Sequence, residues 1–155
     1  MRFYRAMQKP GVHLVTDAID HVEPRGVVTA DGPTAYRSVA VPSFPNLFML
    51  VGPHPPIGSQ ALVIIAENQA DYAMWRINQM REGRVTAAAP TEAATKEYNV
   101  NMKAAMPQTI WATGCNSWHL DKSGLPELFP WEPMRRRELL RSPDLRHFDV
   151  RTAEG

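Results

Sequence analysis

The stretch "FPNLFMLVGPHPPIGSQALVII", residues 44–65, runs an apolar segment into a glycine and three prolines and then into a helix-like pattern. Leu47 to Val51 is continuously apolar, as expected of a strand covered on both faces. Pro53, Pro55 and Pro56 remove backbone donors and fix a rigid turn. Beyond them Ile57, Ala61, Leu62, Ile65, Ala66, Tyr72, Ala73, Ile77 and Met80 recur at three- and four-residue intervals. That period predicts one buried face on a helix of about 20 residues, with Gly83 as its C-cap.

A strand, a tight turn and a helix start in this order form a place where an electron-rich group can sit. In open α/β sheets ligands settle beyond the carboxyl ends of strands, and a helix N-terminus offers unpaired N–H groups and partial positive charge. The prolines cannot donate, which leaves His54, Ile57, Gly58 and Ser59. Gly58 has no side chain, so a flat ligand can lie close to its backbone. The same residues also read as plain punctuation between strand and helix, which is what Gly-Pro turns usually are.

Outward from this stretch the elements are shorter. Residues 11–32 predict a strand at Val12 to Val15 and a hairpin of Ala18 to Glu23 with Gly26 to Ala30, turned at Pro24-Arg25-Gly26. Residues 33–45 carry Pro33, Pro42 and Pro45 and read as a connector. A second helix is expected from an N-cap at Thr91, with Glu92 in its first turn, to about Ala105. Residues 109–120, "TIWATGCNSWHL", are β-branched and aromatic, with Gly114 marking a bulge in any strand there. The tail from Lys122 reads as a proline-broken surface run with a short helix at Pro133 to Leu140.

Composition bounds the function. The chain has 155 residues, 44% hydrophobic and 21% charged, with a formal charge of +1. This suits one ordinary domain or a piece of a larger one, and it advertises neither nucleic acid nor an anionic membrane as partner. One cysteine, Cys115, excludes an internal disulfide framework and fits a reducing cytoplasm. The longest clean apolar run, Ala61 to Ala66, is far below the roughly 18 residues of a membrane span. Cys115 with His119 and Asp121 is a weak thiol-hydrolase pattern, since such groups are normally assembled by the fold. One cysteine and five scattered histidines lack the paired spacing of a zinc site. Trp111 and Trp118 line either a pocket for a planar ligand or plain core. Arg135, Arg136, Arg137, Arg141 and Arg146 read as a solvated face.

Two longer stretches carry a resemblance. "PSFPNLFMLVGPHPPIGSQALVIIAENQADYAMWRI" and "MPQTIWATGCNSWHLDKSGLPELFPWEP" resemble the C-terminal part of class B flavoprotein monooxygenases, the Baeyer-Villiger and flavin-containing monooxygenase group. The matching residues are Phe44-Pro45-Asn46-Leu47-Phe48, Gly52-Pro53, Glu67 and Gln69, and Gly114-Cys115 with Ser117-Trp118, in the family's order. "KPGVHLVTDAIDHVEPRGVVTADG" is similar to the segment before the family's Ala-Thr-Gly strand.

The resemblance implies an incomplete α/β piece (α+β in isolation) of a two-dinucleotide-domain flavoprotein. Residues 1–32 would be a remnant of the upstream segment and residues 33–155 the C-terminal part of the FAD-binding domain. It implies FAD and NADPH as cofactors and a ketone or soft heteroatom as substrate. Gly52, Pro53, His54, Ile57, Gly58 and Ser59 would face the flavin, while Ser117 and Trp118 would face the nicotinamide side. No catalytic residue and no metal ligand is assigned. His54 stands at a position that varies in the family and His119 where an aromatic is often found, and no G-x-G-x-x-G phosphate cradle occurs in the chain. The family's arginine beside the flavin peroxide would lie upstream of Met1, and Asp31-Gly32 looks like a junction where an internal segment is missing. The expected product is a cytoplasmic relic, inactive alone, or else an interaction module docking on a protein that supplies the Rossmann domains.

Overall fold

The computed structural model describes residues 34–114, 119–121, 123–141 and 144–152. The strand and hairpin expected within residues 12–30 lie outside them, as do Cys115, Ser117 and Trp118. Helix α1 spans Leu62–Arg81, strand β1 Ala87–Pro90, helix α2 Glu92–Ala105, helix α3 Pro133–Arg141 and strand β2 Phe148–Arg151. Strands β1 and β2 pair antiparallel, with Ala88 opposite Val150 and Pro90 opposite Phe148. Among the described residues this is a small α+β unit, as the sequence implies for the isolated piece.

Local chemistry sets the helix ends. Gly83 has φ +72 and closes α1: its N–H donates to the Met80 carbonyl and that of Arg84 to the Gln79 carbonyl, both at 3.0 Å. This is the paired bonding of a left-handed helix stop, a conformation that glycine adopts without strain. Thr91 caps α2 through its side chain, which accepts from the Ala94 N–H at 3.1 Å.

The core gathers around an irregular segment. Residues Ala35 to Val41 are all buried, although only isolated bridges tie Tyr36 to Ala40 and Ala40 to Phe48. The Tyr36 ring packs against Tyr98 and, edge-on, against Phe148, and its hydroxyl lies 2.7 Å from Nδ1 of His147. Buried backbone without a ladder must find other partners. Asn99 donates to the Ala35 carbonyl at 3.3 Å and the Met49 N–H to that of Val39 at 2.7 Å, while the Arg37 side chain ties the segment to the Leu139 carbonyl of α3.

Five expectations are corrected here, the first being Arg136, expected on a solvated face and found buried. Leu47 to Val51 is not a two-face-covered strand: Leu47 is 42% and Leu50 55% exposed, because Asn46 and Val51, both at positive φ, bend the chain out of any ladder. Helix α1 begins at Leu62 and buries Ile65, Gln69, Tyr72, Ala73 and Arg76, while Leu62, Val63 and Ile64 are exposed. Residues Ile110–Ala112 form a 3-10 turn where strand-like composition was read. The tail is not mere surface, since Leu128, Phe129, Leu140 and Phe148 are buried and β2 completes the sheet.

Asn46 explains how a lone pair of strands is finished. Its backbone N–H donates to the Ala88 carbonyl, its side-chain nitrogen to that of Thr86, and its side-chain oxygen accepts from the Ala88 N–H. One residue therefore occupies part of the free edge of β1, an edge that unpaired would invite other chains.

Candidate functional site

The predicted loop is held from behind. Gln69, fully buried on α1, accepts from the Val51 N–H at 2.6 Å and donates to the Ser38 carbonyl at 3.1 Å. Ser38 donates through its hydroxyl to the His54 carbonyl at 3.4 Å and accepts there from Arg136 at 3.3 Å. A Cβ on Gly52 would stand 2.4 Å from the Ser38 carbonyl oxygen. Glycine is needed there by the approach of backbone to backbone. Val51 and His54 have φ of 54° and 56°, so the clamp imposes a left-handed conformation on two residues with side chains.

His54 turns inward. It is 5% exposed and lines a cavity of about 10 Å³ with Met102, Lys103, Met106, Asp121 and Glu127. Burial, reinforced by the charge of Asp121, pushes the Glu127 carboxyl up, whereas the hydroxyl of Ser123 holds that of Asp121 below the usual range. Two carboxyls driven apart resemble an acid and base pair. The cavity holds a water-sized body and no organic substrate.

The turn after the prolines uses its own donors. The N–H groups of Ser59 and Gln60 both point to the Pro56 carbonyl, at 3.2 and 3.1 Å, and the Ser59 hydroxyl joins them at 3.0 Å. Gly58 sits at φ +95, which no helix contains, so the expected helix start at Ile57 to Ser59 is displaced to Leu62. The bare face of Gly58 lies under the indole of Trp111, whose Cη2 would be 2.7 Å from an added Cβ. Ala61 gives α1 no side-chain cap, and the first turn has no acid. The N–H groups of Leu62, Val63 and Ile64 consequently have no acceptor within the helix.

The comparisons place this arrangement. The chain is 38% identical over 189 residues to an uncharacterized monooxygenase of Mycobacterium tuberculosis, covering 96% of this chain and 38% of that protein. It is 31% identical over 137 residues to a Baeyer-Villiger monooxygenase of Streptomyces coelicolor, covering 80% and 26%. The chain resembles part of a flavoprotein monooxygenase. The structure of cyclohexanone monooxygenase from Rhodococcus sp. Phi1 bound to NADP+ shares the fold, with a TM-score of 0.67 at 23% identity over 78% of this chain and 24% of that one. No protein-family model matches. The chain thus spans well under half the length of these monooxygenases. The mycobacterial alignment has more positions than the chain has residues, so that relative carries residues within the aligned span which this chain lacks.

A relative from Emericella nidulans is an FAD-binding monooxygenase, and the cyclohexanone monooxygenase structure holds NADP+. The described residues offer one end of a flavin a partner and the rest none. The uncapped start of α1 suits an electron-rich ring edge. No phosphate cradle accompanies it in the sequence, His54 and Ser59 are turned to internal uses, and Trp111 covers Gly58. As described, these residues do not make a seat for the whole dinucleotide. Of the predicted set, Gly52, Pro53, His54, Ile57, Gly58 and Ser59 share one loop. What sequence reasoning missed is Gln69 as its clamp, although a glutamine in register with Ile65, Tyr72 and Ala73 was a visible signal. No group of ligating side chains able to hold a metal occurs among the described residues, and none of their helices is long and apolar enough to cross a membrane.

Proposed function

We propose that the chain is the C-terminal part of the FAD-binding domain of a Baeyer-Villiger type monooxygenase, with residues 1–32 a remnant of the segment upstream and an internal segment missing near Asp31-Gly32. Completed, the protein would use FAD and NADPH to oxidise a ketone or a soft heteroatom in the cytoplasm. The 155 residues alone are inactive on this reading. The observation that carries it is the clamped Gly52-Pro53-His54 loop leading to an uncapped, acid-free helix start, in a chain whose relatives are monooxygenases.

The missing cradles define the partner. A protein carrying the two dinucleotide-binding units would cover the outer side of α1, where Val63, Ile64, Met74 and Trp75 are 67%, 46%, 46% and 37% exposed. The test is purification with excess FAD followed by gel filtration. We expect no FAD retained through gel filtration and no NADPH oxidation from the chain alone. A stable flavin complex that consumes NADPH would overturn the reading.

A further inference from the structure

The 3-10 turn Ile110–Ala112 contains no buried residue, and Ile110 is 77% exposed. Its backbone bonds are local, from the Ala112 N–H to the Thr109 carbonyl and from the Thr113 N–H to that of Ile110. Its seat on the preceding loop is the Trp111 indole, which is itself 38% exposed and rests its six-membered ring on Gly58. Gly58 is the position where a left-handed φ of +95 and the absence of a Cβ leave backbone open to a flat face. An aromatic ring is thus laid on a planar seat by a segment with little else to hold it.

We propose that Trp111 is a displaceable lid: its indole occupies, on the bare backbone of Gly58, the place of a planar fused-ring ligand, and such a ligand lifts it. The proposal rests on the flavin-facing reading of this loop for the ligand's identity, and on the Gly58 contact for the lid itself. A ring arriving at Gly58 exchanges one stacked aromatic contact for another. Uptake is therefore weakened by the indole contact it must break. Lifting Trp111 also uncovers the turn that leads into α1.

Fluorine NMR of the full chain labelled with fluorotryptophan tests this, with the Trp111 line assigned by its loss in Trp111→Phe. Riboflavin should move that line toward the position of free indole and leave the lines of Trp75 and Trp131 in place. Gly58→Ala should move it the same way without ligand. Should Gly58→Ala fail to fold, Trp111→Ala serves: riboflavin fluorescence polarisation should show binding tightened about two- to tenfold, the worth of one aromatic contact. Riboflavin that binds with the Trp111 line unmoved, or equally well to wild type and Trp111→Ala, overturns the lid and spares the flavin-facing reading. Riboflavin that fails to bind even Trp111→Ala overturns that reading and the lid with it.

Discussion

Two neighbouring loops of this chain are built in opposite ways. Residues 35–54 are irregular yet tightly held: side chains from α1 and α2 bond their backbone, Arg136 of α3 donates to the Ser38 hydroxyl, and Gln69 joins Ser38 to Val51. Residues 56–64 together with 109–114 are regular in their turns yet open, with Leu62, Val63, Ile64 and Ile110 exposed and one indole bridging them. The first loop closes on its own core through residues 35–41, with Leu47 and Leu50 left outside. The second leaves apolar side chains exposed on the outer side of α1. A loop can thus be fixed by side chains on one flank while the helix start beside it stays uncovered.

The sharpest way to break this contrast is to remove the clamp. Gln69→Leu takes the partner from the part-buried Val51 N–H and from the buried Ser38 carbonyl, each worth about 1–3 kcal/mol when buried. Urea unfolding should show a loss of about 3 kcal/mol, the largest effect of any substitution considered. A loss under about 1 kcal/mol would mean that the loop is held by something else. Gly52→Ala probes the same point from the other side, forcing a methyl against the Ser38 carbonyl. Overpacking against backbone costs about 1–3 kcal/mol, and the midpoint should fall accordingly.

Much of the scaffold was legible because its signals are local. The glycine stop at Gly83, the Thr91 cap and the helix at Pro133 depend on residues within one turn of each other. The site was legible as a loop and misread in detail. An apolar run such as Leu47 to Val51 looks the same in sequence whether a ladder or two left-handed residues lie beside it. Strand β1 is three alanines and a proline, which carry no strand preference, and its partner lies at the far end of the chain. Burial of residues 35–41 is likewise decided by distant groups, Asn99, Leu139 and Phe148 among them.

The buried side of α1 gives a pH-dependent test. Burial pushes the Tyr72 hydroxyl up to about 12, against the opposing charge of Arg76, and that hydroxyl has no hydrogen-bond partner in the described residues. In the unfolded chain it ionises near 10. The folded state holds the proton longer, so this contribution is fully present below about pH 10 and is lost as pH rises toward about 12. Tyr36 and Tyr98 shift in the same direction. Tyr72→Phe should therefore make the alkaline fall in stability shallower without abolishing it. At neutral pH the variant should be unchanged or slightly more stable, because the hydroxyl it removes is buried and unpaired.

The smallest expected effect tests the open side. Val63 is 67% exposed in the first turn of a helix that has no acid there. Val63→Glu removes little packing and places a negative charge against unpaired N–H groups, which is favourable by about 0.3–1 kcal/mol. The free chain should keep its urea midpoint, or gain slightly, within about 0.5 kcal/mol. Binding to a protein that supplies the dinucleotide units should instead fall, since a carboxylate would be buried in an apolar contact. A loss above about 1 kcal/mol in the free chain would show Val63 to be covered already. The two loops would then not differ in the way their exposure suggests, and the outer side of α1 would cease to be the surface on which the rest of the monooxygenase is expected to sit.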